Sequence, residues 1–360
     1  MLKSVRSTVS PDIGLDLGTA NTVVYERGAG VIVSEPSVVA YDMRTDEIVA
    51  IGRSAKEMEG RVPPHMRVVR PLQRGTISDF RAAQTLVARL VDRALATRPR
   101  LAPRLIASIP GCATDIECKA VEQAVRAAGA RYTTYVPQAV AAAVGAGLDV
   151  TSIRAQMVVD IGGGTTEIAV LGTTGVIRLS SIQIGGDFLD QSIVNRLRAE
   201  RFSIGSLTAE RLKVELGFAG RAPGAASLLV NGNDLDAASP RPREVRESIV
   251  GEAMEEGIER IMRGVLAVLE SVPPDVASDL IESGITLTGG GALITGLAGV
   301  IGGRTNVPTT VARDPLTCVA RGAGEILGSP TLHEQLRPHA DRFTRWYQSL
   351  RIGMRESYSP

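Results

Sequence analysis

Residues 14–28 read GLDLGTANTVVYERG, and residues 158–172 read VVDIGGGTTEIAVLG. Each is an apolar run closing on an aspartate, Asp16 or Asp160, then a glycine turn carrying threonine, then a second apolar run. Short apolar runs that end at glycine are the pattern of buried strands joined by tight turns. Each stretch therefore predicts a strand–turn–strand hairpin. The glycines let the backbone bend sharply and bring its N–H groups against an anion with no Cβ in the way. Thr19, Thr165 and Thr166 add hydroxyl donors. The aspartates repel phosphate, and their chemistry suits a hydrated Mg2+ that keeps several waters and bridges nucleotide phosphates. One such hairpin alone is as readily a plain β-turn. Two, with matching aspartates, predict a clamp gripping a polyphosphate from both sides. The P-loop pattern GxxxxGK[ST] does not occur, so that device is excluded.

Outward from the hairpins, strand-like and helix-like segments alternate, which predicts an α/β fold. VIVSEPSVVAYD, EIVAIGRSA and RLIASIPG read as strands; FRAAQTLVARLVDRAL has its apolar residues at helical spacing. TDIECKAVEQAVRAAG predicts a helix capped by Thr114 and ended by Gly129. AVAAAVGAGL predicts a helix of small residues that permits close backbone approach. TAERLKVELGF predicts a helix capped by Thr208. Residues 219–243 read as loop with one strand, SLLV, and REVRESIVGEAMEEGIERIMRGVLAVLESV as one long helix stopped by Pro273 and Pro274.

With 44% hydrophobic residues and a net charge of +1, the composition is that of a globular protein with no global field for nucleic acid. Three scattered cysteines without CxxC and three histidines without HExxH offer neither a disulfide framework nor a zinc site, and fit a reducing cytoplasm. The uncharged stretch from Ser283 to Gly303 is long enough to span a bilayer, but its eight glycines read as strand, turn and helix instead.

TGGGALITG (Thr288 to Gly296) is a third glycine cluster at a strand-to-helix junction, where backbone could lie flat against a base or ribose; packing alone also places glycine there. Two phosphate hairpins, a small-residue connecting helix, a glycine-rich base-binding turn and a last connecting helix resemble the actin-like ATPases. DLGTANTVVY, EPSVVA, VVDIGGGTTEIAVL, IGGDFLD, AERLKVELG, LTGGGALITGL and DPLTCVARGAG are similar to the MreB/Mbl branch, the bacterial actin homologues, over residues 12 to about 327.

The resemblance implies an actin-like (ribonuclease H-like) α/β fold: two similar domains, each with a large and a small subdomain, around a nucleotide cleft. It implies an N-terminal segment at 1–11 and domain I at 12–148, with its small subdomain at about 32–76. Domain II follows at 149–328, with its small subdomain at about 182–247 and a final helix returning towards domain I, and then a tail at 329–360. ATP with Mg2+ is the implied ligand. Thr19, Ala20 and Asn21 fall in the first phosphate loop and Gly163, Gly164 and Thr165 in the second. Asp16 and Asp160 are implied to hold Mg2+ through water. Glu210 and Lys213, which spacing alone would assign to a solvated helix face, are implied at the ribose and adenine, with Gly290, Gly291 and Ala292 opposite. Gln138, Asp160 and Thr165 form the implied catalytic set.

The sequence departs from the branch at four places. Gln138 stands where the branch usually has the glutamate that helps orient water; glutamine can orient water but cannot take its proton. Val5 and Val9 occupy the N-terminal segment where aromatics are common, and ATRPRLAPR offers Arg98, Arg100 and Arg104 around Leu101, a more electrostatic membrane contact. A strand after NGNDLDAAS reads as missing. In the tail, Phe343, Trp346, Tyr347 and Leu350 share one helical face, suited to packing on the domain or to a membrane or partner surface.

The expected protein is a cytoplasmic, filament-forming ATPase at the inner face of the cell membrane. Its implied partners are itself, the membrane surface and membrane-anchored cell-wall elongation or morphogenesis proteins, with no nucleic acid. The rival readings are a monomeric phosphotransferase such as a sugar kinase, and a nucleotide-gated scaffold with little hydrolysis.

Overall fold

A computed structural model describes residues 11–96, 102–111, 113–172, 175–220, 224–329 and 331–332. The N-terminal segment with Val5 and Val9, the loop with Arg98, Arg100 and Leu101, and the tail stripe of Phe343, Trp346, Tyr347 and Leu350 lie outside the described residues.

The first hairpin is β1 (Asp12–Leu17) and β2 (Asn21–Glu26), extended by β3 (Gly30–Pro36). A small sheet follows, β4 (Val39–Asp42), β5 (Glu47–Ile51) and β6 (Met66–Val69), with the short helix α1 (Arg53–Glu57) between β5 and β6. Then come a tight hairpin, β7 (Leu72–Gln73) and β8 (Thr76–Ile77), and α2 (Phe80–Leu95), capped by Asp79, which accepts from the Ala82 N–H at 2.9 Å. The face of α2 bearing Leu86 and Leu90 is fully buried, each such side chain contributing about 2 kcal/mol.

Next are β9 (Arg104–Ile109), α3 (Asp115–Ala127), β10 (Tyr132–Pro137) and α4 (Gln138–Ala146). Thr114 caps α3 in a reciprocal box with Glu117: each backbone N–H donates to the other's side chain. Arg104, read from sequence as a membrane-facing loop arginine, instead opens β9 and grips the buried Asp12 with two hydrogen bonds of 2.7 and 2.6 Å.

The second half repeats the plan. β11 (Gln156–Ile161), β12 (Thr166–Gly172) and β13 (Gly175–Ile182) form the second hairpin and its extension. α5 (Gly186–Ala199), β14 (Phe202–Ser203), α6 (Ser206–Leu216), β15 (Ser227–Asp234) and β16 (Ser239–Arg246) form a smaller lobe. The long helix α7 (Glu247–Ser271) is followed by α8 (Pro274–Ser283), β17 (Ile285–Thr288), a 3-10 turn at Gly290–Leu293, α9 (Leu297–Thr305), β18 (Thr309–Val311) and α10 (Cys318–Gly328).

The two large sheets have the same topology. In order they run β10-β9-β1-β2-β3 and β13-β12-β11-β17-β18. In each, an antiparallel three-strand meander carries two further strands added in parallel beside its first strand. Asp16 pairs with Val23 and Asp160 with Glu167, so both aspartates stand one residue before the end of the first strand. The duplication legible in the sequence is a duplication of fold.

Three sequence expectations change. Gly205 stands at the cap position of α6 and Thr208 lies inside the first turn. The strand read as missing after NGNDLDAAS is present: Ser239–Arg246 pairs along its full length with β15, and the REVR expected to open the long helix belongs to this strand and its end. Pro240 and Pro242 disguised it. The strand lies at a sheet edge, and the two prolines alternate, so both missing N–H groups fall on one side where they need not join the ladder. Finally, Pro273 and Pro274 end α7 but also start α8, with Pro274 in its first turn, where a missing N–H costs nothing.

Each half has its own apolar core, one around Ile13, Leu15 and Leu105, the other around Ile161, Leu189 and Ile261. A third cluster, from Ala139 to Ala143 with Val158, Ala169, Val319 and Ala323, joins the halves. There α4 and α10 pack against each other with backbones almost in contact: a Cβ on Gly145 would overlap the Cys318 carbonyl, and one on Gly322 the Ala141 carbonyl.

Candidate functional site

The two hairpin turns face each other across the junction of the halves. Each is pinned from within: the Gly18 N–H donates to the Asn21 carbonyl at 3.1 Å, and the Gly162 N–H to the Thr165 carbonyl at 2.9 Å. They approach so closely that side chains are excluded. A Cβ on Gly163 would lie 2.7 Å from the Ala20 Cβ, and one on Gly164 would lie 2.6 Å from Thr19 Oγ1. The tip of the β7–β8 hairpin closes over them, with the Gly75 N–H donating to Thr19 Oγ1 at 3.2 Å.

Between the turns lies a cavity of about 330 Å3. Its walls include Asp16, Thr19, Ala20, Asn21, Gln138, Asp160, Gly163, Gly164, Thr165, Glu210, Lys213, Gly290 and Gly291, which are far apart in sequence. Ala292, the remaining residue expected there, is not in the wall; it is 2% exposed and packs in the core beneath the turn. The 3-10 geometry of Gly290–Leu293 turns its side chain inward and leaves Gly290, Gly291 and Leu293 on the cavity side.

At the inner end, Asp16 accepts from Ser108 Oγ at 2.8 Å. Asp160, 1% exposed, accepts from Gln138 Nε2 at 2.9 Å and Thr288 Oγ1 at 2.8 Å. Burial, and then the Asp160 charge, push Asp16 up to about 7. Burial pushes Asp160 up to about 6 against the hydrogen bonds from Thr288 and Gln138. Among the described residues neither carboxylate has an ion pair. No group of three or more His, Cys, Asp or Glu side chains there could hold a metal alone.

At the outer end, α6 supplies Glu210 and Lys213. Lys213 Nζ donates to Asp190 at 2.9 Å and to the Gly186 carbonyl at 3.1 Å, while Glu210 meets Lys56 from the first half at 2.6 Å. Arg70 with Asp187, and Ser206 with Glu59, bridge the same gap.

Several lining residues were missed in the sequence. Val214, Leu293 and Leu316 line the outer part while 75%, 56% and 54% exposed. Exposed apolar side chains beside glycine backbone make a slot for a flat ring. Val214 and Leu293 stand next to residues already singled out; Leu316 lies within DPLTCVARGAG, a stretch read for the family and not for the site. Glu167, fully buried, was visible within GGGTTE but read only as strand. Burial pushes it up to about 7, against hydrogen bonds from Ser181 and the Gly111 N–H.

These three carboxylates fix the sign of a pH effect. With folded-state values raised above ordinary carboxylates, the folded chain binds more protons than the unfolded chain across the interval from about 4 to about 7, and stability falls as pH rises through it. Without nucleotide or divalent cation, the thermal midpoint is expected to be lower at about pH 8 than at about pH 5. A midpoint that climbs over this range in a melting series would contradict that origin.

The sequence matches the family profile described as MreB/Mbl protein over residues 10–335. It is 40% identical to the cell shape-determining protein MreB of Escherichia coli (strain K12) over 341 residues, 92% of this chain and 98% of that one. It is 35% identical to the cell shape-determining protein Mbl of Bacillus subtilis (strain 168), covering 88% of this chain and 95% of that protein. Among solved structures, MreB5 of Spiroplasma citri bound to ADP superposes with a TM-score of 0.83 at 31% identity, over 88% of this chain and 96% of that one.

Proposed function

Because this chain belongs to the MreB/Mbl family, we propose that it is an ATP-binding bacterial actin-like protein that assembles into filaments at the inner face of the cell membrane and organises wall synthesis and cell shape. The observation that carries this reading is the pair of facing glycine turns, one from each half, with Asp16 and Asp160 between them. Such a cavity gains its full set of contacts only when both halves grip one ligand, so a polyphosphate in it favours the closed arrangement of the halves. The relatives named above are cell shape-determining proteins, and MreB5 of Spiroplasma citri has been crystallised with ADP and with AMPPNP.

In this reading the N–H groups of Thr19 to Asn21 and Gly163 to Thr165 receive the phosphates, Glu210 and Lys213 the ribose and base edge, and the Val214, Leu293 and Leu316 slot the base face. The donor set fits Mg2+: two buried carboxylates, raised by burial and without a basic partner, suit a hard cation that completes its shell with water and phosphate oxygen. When bound, Mg2+ supplies charge neutralisation on the phosphates. Gln138 orients water without acting as a base, so turnover is slow. Membrane contact rests on the N-terminal segment and the arginine loop. Among the described residues no helix is long and apolar enough to cross a membrane.

Light scattering of the purified protein is expected to rise on addition of ATP·Mg2+, and to rise further with anionic liposomes. A flat trace in both conditions, from protein whose circular dichroism shows it folded, would replace the filament reading with a monomeric one.

A further inference from the structure

Arg74 stands at the tip of the β7–β8 hairpin with φ 51°, followed by Gly75 with φ 77°. Two successive residues with positive φ make the tight hairpin turn whose first place suits Asn, Asp or Gly. An arginine holds that left-handed backbone only against steric resistance. The strained residue is wedged against the second phosphate turn: a Cβ on Gly164 would lie 2.9 Å from Arg74 Cα and 3.0 Å from its nitrogen. Its neighbour Gly75 holds the first turn through Thr19. Arg74 therefore stands where the two turns meet.

The Arg74 side chain does nothing for the fold. It is exposed, and among the described residues it makes no hydrogen bond and no ion pair. It lines a second cavity, of about 590 Å3, that shares Gly164 with the first as a common wall. The acids of that cavity have other partners: Asp187 pairs with Arg70 at 2.9 Å, Asp190 with Lys213 at 2.9 Å, and Glu59 with Ser206 at 3.0 Å and Arg70 at 3.6 Å. The first cavity has the opposite need. Its wall carries Asp16, Asp160 and Glu210 but a single basic side chain, Lys213, at the outer end and held by Asp190. At the inner end the turns offer backbone N–H groups and hydroxyls beside two carboxylates, with no fixed positive charge. Gly164 has no side chain to bar a long, flexible guanidinium from crossing between the cavities.

We propose that Arg74 is the residue by which this protein distinguishes ATP from ADP: from its place in the second cavity the guanidinium folds over Gly164 and binds two oxygens of the terminal phosphate. This rests on the reading of the first cavity as an ATP site. Arginine suits the task because its planar fork donates two parallel hydrogen bonds to phosphate and stays charged at every working pH. Arg74 belongs to the first half and Gly164 to the second, so the contact also favours the closed arrangement of the halves with ATP over that with ADP.

The test titrates the full-length protein calorimetrically with ADP·Mg2+ and with AMPPNP·Mg2+, at protein concentrations that give no light scattering. Arg74→Asn is expected to weaken AMPPNP binding about tenfold or more, the loss of a hydrogen-bonded charge pair, while the Kd for ADP stays within about twofold. The same variant is expected to leave the nucleotide-free melting midpoint unchanged or higher, because asparagine accepts the left-handed turn more readily. Arg74→Lys, which keeps the charge but not the fork, is expected to fall between Arg74→Asn and the parent. Arg260→Ala is the control. It removes a positive charge from the same second cavity, but Arg260 lies over Phe188 and pairs with Glu256, and both Kd values are expected to stay within about twofold. An unchanged Kd for AMPPNP in Arg74→Asn overturns the proposal, as does a parent that binds the two nucleotides alike. So does an equal weakening of ADP in Arg74→Asn, or an equal loss of AMPPNP binding in Arg260→Ala, which would make the effect one of overall charge. Parent protein that binds neither nucleotide overturns the reading of the cavity as an ATP site.

Discussion

Asp160→Asn is expected to reduce ATP-dependent phosphate release by about a hundredfold or more while leaving the thermal midpoint of the nucleotide-free protein unchanged or higher. The substitution keeps size and shape but removes two things at once. The cation site loses half its protein charge. The new amide also keeps one acceptor oxygen where the carboxylate had two, so it cannot accept from both Gln138 Nε2 and Thr288 Oγ1 as Asp160 does. Stability moves the other way. Asp160 is buried beside Asp16 and across from Glu167, and replacing one of three crowded carboxylates with a neutral group relieves repulsion and desolvation together. Phosphate release within about threefold of the parent would show that Asp160 does not govern the site. A collapse of the midpoint would show that it is structural.

Gly322→Ala is expected to destabilise the fold by about 3 kcal/mol, the upper end of the usual cost of overpacking, seen as a melting midpoint lower by about 5 °C or more. Helix propensity alone predicts the opposite, since alanine is the better helix former by about 1 kcal/mol. The collision decides. The new Cβ would overlap the Ala141 carbonyl and crowd the Gly145 N–H on α4, and these are backbone atoms that no rotamer change can move aside. The seam must open instead, and it is the seam that joins the halves. Gly303 is the control: it lies in α9 with nothing within 4 Å of its would-be Cβ, so Gly303→Ala is expected to be neutral or slightly stabilising. Equal midpoints for the two alanine variants would remove the seam from the account.

The hairpins could be read in the sequence because their information is local. An apolar run, an aspartate and a glycine turn specify a strand end wherever they occur, and the double occurrence of that phrase announced a duplicated architecture. Thr114 and its helix were legible for the same reason: a cap and its N3 partner are three residues apart. β16 was not, because its meaning depends on a neighbour. Pro240 and Pro242 argue against a strand until the strand is known to lie at an edge, with its proline nitrogens turned away from the ladder. Thr208 misled in a related way. A threonine before a helical run is a cap only if the helix begins there, and α6 begins two residues earlier.

The sequence by itself determined the α/β class, the repeated hairpin, the family and the glycine and polar residues that form the two facing turns of the cavity, since each is carried by residue type and spacing within one segment. Only the tertiary structure decided which of them share a wall and which lie behind it. Ala292 falls into the core because the 3-10 turn rotates it there; Leu316 reaches the cavity because a second 3-10 turn, Pro315–Thr317, brings it beside Gly290. Glu167 gains its meaning the same way: Gly111, 56 residues away in the other half, and Ser181 on the next strand converge on one carboxylate. The physical reason is the same throughout: a side chain's type is fixed by the chain, but its partners, its burial and hence its charge state are fixed only when distant segments meet.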